Sequence, residues 1–236
     1  MAELIFNVVV IYIIGFVMLK LKIYIDFKTS NYRHASNHNF WQTFFNKGNK
    51  GEYKIYLSLE KVKGEKLLLT NLYIPKKDGS TTEIDLLLIT KSGLFVVESK
   101  NYSGWIFGDE KTRSWTQTFP NNQQFSFFNP IWQNKGHIKA LKDVLAITDD
   151  SLVHSFIIFS NHCELKEITV TSSNVQVFQR DLLKQILKSK LGSEPRLTSE
   201  EMKSYFQILK PYMHADEKTK KLHIKKIQER LSLAKR

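Results

Sequence analysis

Residues 83–100 read EIDLLLITKSGLFVVESK and carry the strongest structural signal in the chain. Two apolar runs, Ile84–Ile89 and Leu94–Val97, flank a short polar sequence. Each run is too short for a helix and is rich in Ile, Leu, Val and Phe, so each predicts a buried strand. Gly93 permits the positive φ angle that suits a tight turn. The stretch therefore predicts a β-hairpin inside the core.

Three charged residues do not fit a plain apolar hairpin. Asp85 lies inside the first apolar run, and Glu98 and Lys100 close the second. Because side chains alternate along a strand, Glu98 and Lys100 are expected on the same face. Buried carboxylates are unfavourable unless they are paired or bound to a metal. The pattern is consistent with two carboxylates and an ammonium group at one sheet edge.

The order of these residues resembles the nuclease-related domain (NERD) family of the PD-(D/E)xK nuclease superfamily. The resemblance covers about Gly51 to Leu145, somewhat under half of the chain. A D…ExK pattern alone is weak, and the whole ordered set is more specific. The set comprises Gly51-Glu52, Glu83-Ile84-Asp85, Glu98-Ser99-Lys100, Gly104-Trp105, Trp115-x-Gln117, Asn129-Pro130 and Gln133-Asn134. Ile84 stands where the superfamily name has proline.

The resemblance implies a restriction-endonuclease-like α/β core, in which helices flank a central mixed β-sheet. It also implies a metal site for Mg²⁺ or Mn²⁺. Its implied ligands are Asp85, Glu98, the Ser99 backbone carbonyl and Glu52, which contacts the metal or a water bound to it. Lys100 is the implied catalytic cation, and Gln133 is expected to orient substrate or water.

Each of these residues also has a structural interpretation. Asp85 can form a salt bridge within the sheet, and Glu52 can be a surface residue in the first turn of a helix, where a carboxylate is favoured. Gln133 can be polar surface. His137 can assist proton transfer, but we expect it to be a surface histidine. Aromatic residues are expected in packing roles rather than stacked on bases. These are Trp105, Trp115, Phe125, Phe127 and Phe128.

The composition suggests a polyanionic partner. The 236 residues include 35 Lys and Arg against 23 Asp and Glu, which gives a net charge of +12. Such basicity favours nucleic acid or an anionic membrane surface, although a solvated lysine-rich surface explains it equally well. Cys163 is the single cysteine, so an intrachain disulfide is excluded. We expect it to be a buried structural residue.

The N-terminal segment predicts a membrane anchor. Residues 4–25 read LIFNVVVIYIIGFVMLKLKIYI, which is long enough to span a bilayer if Lys20 and Lys22 extend to the interface. A cleaved signal peptide is less consistent, because the segment lacks a basic start and a small-residue cleavage site. The lysines lie on the C-terminal side, which favours a single-pass protein of the cell membrane with a cytoplasmic C-terminal domain.

We predict four regions: an anchor at 1–25, a linker at 26–48, a NERD-like domain at 49–190 and a basic helical region at 191–236. Within the domain we expect a helix from Gly51 to Lys61, a polar loop from Pro120 to Asn129 and an amphipathic helix from Pro130 to about Leu145. Thr198–Glu201 has the form of a capping box. Residues 218–236 predict a basic amphipathic helix suited to anionic lipid or nucleic acid, or merely solvated.

Two main hypotheses follow, together with a weaker one. The first is a membrane-anchored, Mg²⁺-dependent nuclease, with DNA the favoured substrate by resemblance. The second is a module that binds nucleic acid or anionic membrane without cleaving anything. The third is a scaffold whose C-terminal region binds a protein partner. The sequence does not predict the oligomeric state.

Overall fold

The computed structural model describes residues 1–192 and 194–233. Nine strands form two sheets within this part of the chain. The strands are β1 Lys66–Pro75, β2 Thr81–Thr90, β3 Gly93–Lys100, β4 Gly104–Asp109, β5 Ser114–Thr118, β6 Gln124–Phe128, β7 Val153–Phe159, β8 Cys163–Thr169 and β9 Val175–Gln179. The predicted mixed α/β architecture is confirmed.

The larger sheet has the order β1-β2-β3-β7-β9. Strands β1, β2 and β3 pair antiparallel, and β2 and β3 form the predicted hairpin, with Thr90 opposite Gly93. Strands β7 and β9 then add in parallel. Gly93 has a φ of 131°, and a Cβ atom there would lie 2.5 Å from the Leu152 carbonyl oxygen, so glycine is required.

The smaller sheet has the order β6-β5-β4-β8, with β4 and β8 parallel. Strands β6 and β8 are differences from the prediction. Residues 124–128 lie in the segment expected as a loop, yet they pair along the whole of β5. Their sequence QFSFF alternates polar and aromatic residues, and its exposed edge position explains the weak apolar signal.

The described residues also form eight α-helices. They are α1 Ala2–Thr29, α2 Tyr32–Ser36, α3 Phe40–Phe45, α4 Lys47–Glu60, α5 Pro130–Leu145, α6 Leu183–Leu191, α7 Ser199–Leu209 and α8 Glu217–Leu233. Short 3₁₀ turns cover Asp150–Leu152, Arg180–Leu182 and Lys210–Tyr212. Helices α5 and α7 cover one face of the larger sheet, and α4 and α6 cover the other.

Local capping signals explain several helix ends. Thr198 forms the predicted capping box with Glu201 at the start of α7. Asn129 caps α5, where Pro130 occupies the first turn. Helix α4 begins at Lys47, four residues before the predicted start, because the Asn46 side chain accepts a hydrogen bond from the Asn49 backbone N–H.

Helix α1 is long and apolar enough to cross a membrane, with a mean hydropathy of 2.5 over its best 18 residues, none of them buried. A signal sequence near an N-terminus has the same length and apolar composition. The helix runs past the apolar segment to Thr29 and brings Phe27 into the core under α4.

The segment 26–48, predicted from its polar composition as a linker, forms the end of α1 and then α2 and α3, and Phe27 and Tyr32 are fully buried. Scattered aromatic residues supply this buried surface, which the average composition of the segment conceals. The predicted boundaries remain predictions.

The C-terminal helix is present as α8. It lies beside the β1–β2 turn, where the Lys226 Nζ atom donates to the Gly79 carbonyl at 3.0 Å. Ile224 and Ile227 of this helix are exposed. The prediction extends the helix to residue 236, and residues 234–236 lie outside the described part of the chain.

Candidate active site

The candidate site lies where β2 and β3 separate. Their last regular pair is Leu86 with Val97, and Asp85 is the residue of β2 immediately outside this pair. The Asp85 Oδ2 atom accepts a hydrogen bond from the Ser99 backbone N–H at 2.8 Å. A side chain thus takes the place of a backbone carbonyl, and the sheet opens at this point.

An irregularity in the sheet explains the position of Asp85. Ile84 and Leu87 enter the same core, although strict alternation would put them on opposite faces. The register of β1 and β2 skips Asn71 and Asp85, and Asn71 has a positive φ of 51°. The kink turns the Asp85 carboxylate toward β3 and away from either core.

Glu98 and Lys100 point to the same face of β3, as alternation predicts. The Lys100 Nζ atom lies 2.6 Å from Glu98 Oε1 and 2.9 Å from Gln133 Oε1 on α5. Glu98 is 2% exposed. Burial favours the protonated form of Glu98, but the charge of Lys100 and the contact with His137 outweigh it, and the pKa of Glu98 is lowered.

Lys100 remains a cation in this setting. Burial alone lowers its pKa, but the charge and hydrogen bond of Glu98 and the charge of Asp85 raise it above the ordinary value. An ammonium group has three N–H donors, of which Glu98 and Gln133 take two. Lys100 is therefore suited to donate a hydrogen bond and stabilise negative charge, not to act as a base.

His137 lies at the site, and the expectation of a surface histidine was wrong. It is 5% exposed. Its Nε2 atom lies 3.1 Å from Glu98 Oε2, and its Nδ1 atom lies 2.6 Å from Thr82 Oγ1. A signal for this position was available, since His137 is four residues after Gln133 and must share its helix face.

Two further glutamates, Glu52 and Glu83, lie close enough to Glu98 to interact with it electrostatically. Burial, followed by the charges of Glu83 and Glu98, raises the pKa of Glu52 on α4 to about 8. Burial likewise raises the pKa of Glu83, which faces Tyr73 across the β1–β2 pair. Burial and then Glu98 and Glu52 raise the pKa of Asp85 well above its usual range. Glu52 is thus a partly buried site residue and not a surface carboxylate.

These residues offer the donors that a hard divalent cation prefers. Carboxylate and carbonyl oxygens suit Mg²⁺ or Mn²⁺. The N–H and C=O groups of one strand residue face the same side, so the Ser99 carbonyl faces the strand that carries Asp85. Mutual repulsion of the buried carboxylates also favours a bound cation. Among the described residues, however, no three His, Cys, Asp or Glu side chains are already arranged to hold a metal.

The conformation of Glu98 explains why the side chains are not yet arranged around a metal ion. Both of its carboxylate oxygens are engaged, one by Lys100 and the other by His137. The chemistry of the donor set therefore fits a magnesium ion, provided that the Glu98 side chain gives up one contact. Asp85 keeps a second oxygen, because the Ser99 N–H bond uses only Oδ2.

Other motif residues have structural roles. Asn129 is fully buried and donates through Nδ2 to the carbonyls of Asp109, Glu110 and Thr112. Asn134 is also buried and donates to the Val96 carbonyl at 2.9 Å.

The remaining predicted side chains do not converge on the site. Trp115 is 1% exposed and packs in the smaller core, as expected, and Cys163 is buried. Phe127 packs beside Trp115, whereas Phe125 and Phe128 are more than 40% exposed.

Comparison with known proteins yields two matches. The family model of the nuclease-related domain matches residues 47–160, which include β1 to β7 and every candidate site residue. A protein of Bacillus anthracis, described only as uncharacterized, is 32% identical over 187 residues. The aligned region covers 79% of this chain and 86% of that protein.

Proposed function

The chain belongs to the nuclease-related domain (NERD) family, and on this premise we propose that it is a Mg²⁺-dependent nuclease that hydrolyses phosphodiester bonds. DNA is the favoured polymer. The observation that carries the proposal is the position of Lys100, which bridges the Glu98 carboxylate and the Gln133 amide beside Asp85.

Each side chain of the site has a distinct role at the reacting phosphate. Lys100 donates its third N–H to the attacking water or to a phosphate oxygen, where charge develops in the transition state. Gln133 holds the Lys100 ammonium group in place. The Ser99 N–H fixes the Asp85 carboxylate. His137 fixes Glu98 from the side opposite Lys100.

A magnesium ion would be held by Asp85, Glu98 and the Ser99 carbonyl, with Glu52 in a supporting position; Mn²⁺ has compatible ligand preferences. When bound, it would lower the pKa of a coordinated water and neutralise negative charge on the phosphoryl group. Its positive charge would also offset the burial and the mutual repulsion that raise the pKa of Glu52 and Asp85.

The test compares cleavage by the detergent-solubilised full chain and two variants. Labelled single- and double-stranded DNA and RNA are incubated with Mg²⁺, Mn²⁺ or EDTA. We expect Asp85→Asn to abolish metal-dependent cleavage, and the asparagine oxygen can still accept the Ser99 N–H bond, so the fold should persist. We expect Lys100→Ala to lower the rate by about 10²-fold or more.

Asp143→Asn is the matched control. Asp143 lies on the same helix as Gln133 but forms its ion pair with Lys77 at the surface, at 3.0 Å. It should cleave like the unaltered protein. Full metal-dependent activity in both Asp85→Asn and Lys100→Ala would remove the proposed assignment.

A second candidate is a module that binds nucleic acid without cleaving it. The observation that favours it is the engagement of both Glu98 oxygens by protein donors. The net charge of +12 supplies the attraction to phosphates. Such binding should weaken steeply with salt and should depend on neither Mg²⁺ nor Asp85. Binding with no cleavage under any metal condition would favour this candidate.

The proposed location is the cell membrane, with α1 as a single span and the domain in the cytoplasm. The lysines that follow the apolar segment support this orientation. We further propose that α8 contacts anionic lipid, because its lysines lie beside the exposed Leu222, Ile224 and Ile227.

A further inference from the structure

Helix α3 has two aromatic stripes with opposite environments. Phe40 and Phe44 pack edge-on against Phe27, with ring centroids 5.6 and 6.1 Å away. Trp41 and Phe45 occupy the next stripe and stack on each other at 5.4 Å. They are 64% and 79% exposed. The inner stripe therefore fixes the helix, and the outer stripe presents a paired aromatic surface to its surroundings.

This surface is continuous with the exposed apolar surface of α1. The Phe40 ring lies 5.3 Å from Tyr24 and 5.5 Å from Trp41. Tyr24 and Ile25 are themselves more than 40% exposed. We call Tyr24, Phe40, Trp41 and Phe45 the α3 aromatic surface. This surface lies beside the C-terminal part of α1, where lysines follow the apolar residues of the helix.

The level of this surface matches a bilayer boundary. A membrane span needs about 20 residues, so a span that begins at Leu4 ends near Ile23, next to Tyr24. Lys20 and Lys28 lie over the rings of Phe16 and Tyr24, at 5.1 and 5.6 Å. Tryptophan and tyrosine favour the head-group region, where one end of the ring is apolar and the other is wet.

We propose that the α3 aromatic surface inserts into the head-group region of the bilayer beside α1. Trp41 and Phe45 provide a second contact with the membrane, and this contact sets the orientation of the domain on the lipid surface. Its occupant is a phospholipid interface. The inference rests on α1 as a membrane span, and it goes beyond the span because one helix alone leaves the tilt of the domain undetermined.

The test uses tryptophan fluorescence of the full chain reconstituted in phosphatidylcholine–phosphatidylglycerol vesicles. Lipids brominated near the head group are compared with lipids brominated near the bilayer centre. We expect stronger quenching by the shallow bromines. Trp41→Phe should lose most of this quenching and should fold normally, because Trp41 is mostly exposed.

Trp132→Phe is the matched control. Trp132 is 40% exposed but belongs to α5, and its indole N–H donates to the Glu110 carbonyl at 2.7 Å. This variant should keep the quenching of the unaltered protein. Equal quenching in the Trp41→Phe and Trp132→Phe variants would overturn the proposal.

Extraction with alkaline carbonate tests the α1 span separately from the membrane contact of the α3 aromatic surface. Protein that stays in the membrane pellet while Trp41 is unquenched would overturn the α3 contact and leave the span intact. Release of the protein into the supernatant would overturn both. Neither outcome bears on the nuclease assay, which is performed in detergent.

Discussion

At the scale of single residues, Glu98 shows how a buried carboxylate remains charged. It has almost no contact with solvent, yet its pKa is lowered, because Lys100 and His137 outweigh the effect of burial. Removal of one donor should leave a buried charge incompletely satisfied. The arrangement therefore links the stability of the fold to the residues proposed for catalysis.

We expect His137→Ala to lower the free energy of unfolding by about 2 kcal/mol, because Glu98 Oε2 then loses its donor in a buried position. Urea denaturation in EDTA measures the change. Thr82→Val, which removes only the partner of His137 Nδ1, should cost about 1 kcal/mol. A His137→Ala variant as stable as the unaltered protein would contradict this account.

Sequence could predict some of these residues and not others. Asp85, Glu98 and Lys100 were visible because charges interrupt apolar strands. The burial of His137 was not visible, because it depends on how α5 crosses the end of β3, and this is a tertiary relationship. The kink at Asp85 was also hidden, since it depends on Asn71 of the neighbouring strand taking a positive φ.

At the scale of elements, the larger sheet followed from local patterns and the smaller one did not. Strand β3 is buried on both faces along most of its length, so its sequence is continuously apolar. Strand β8 reads CELKEIT and is mostly exposed. A strand on an open face carries polar residues that also suit a loop, so its pairing with β4 could not be predicted from its own sequence.

A glutamate ties the smaller sheet to the segment after β8. Glu110 accepts hydrogen bonds from the backbone N–H groups of Thr171 and Ser172 at 2.6 and 2.9 Å, and also from both hydroxyls. Slight burial raises its pKa, but these bonds outweigh that effect and lower the pKa to about 2. The unfolded chain has the ordinary value of 4.5.

The contribution of Glu110 to the stability of the fold depends on pH. Because the folded pKa is depressed, the contribution of Glu110 is present above about pH 4.5 and disappears as pH falls toward 2. We expect the difference in melting temperature between the unaltered protein and Glu110→Gln to shrink over that interval. Glu164→Gln, which alters an exposed carboxylate on β8, is the control. A difference that is constant with pH would refute the assignment.

At the scale of the whole molecule, only two residues separate α1, the proposed anchor, from α2 of the domain. Helix α1 ends at Thr29, α2 begins at Tyr32, and Phe27 and Tyr32 are both buried in the domain core. Residues before Thr29 are thus part of the fold as well as of the proposed anchor.

The burial of Phe27 and Tyr32 in the domain core predicts where the chain tolerates truncation. A fragment that begins at Ile23 should be more stable than one that begins at Asn39 by about 3 kcal/mol or more, because the shorter fragment lacks two buried aromatic side chains. Chemical denaturation of both fragments measures the difference. Phe27→Ala in the longer fragment should reproduce most of the loss. Equal stability of the two fragments would show that 26–48 behaves as the linker first predicted.

The continuity of α1 with the core also limits what the protein can reach. A domain on a long flexible linker can move through a large volume around its membrane anchor and bind polymers in the bulk solution. With α1 in a bilayer, this domain can rotate and drift only in the plane of the membrane, and its reach is its own radius. For the proposed nuclease, encounters then depend on how much nucleic acid arrives at the membrane surface, and a polymer that stays away from the membrane is protected by distance alone.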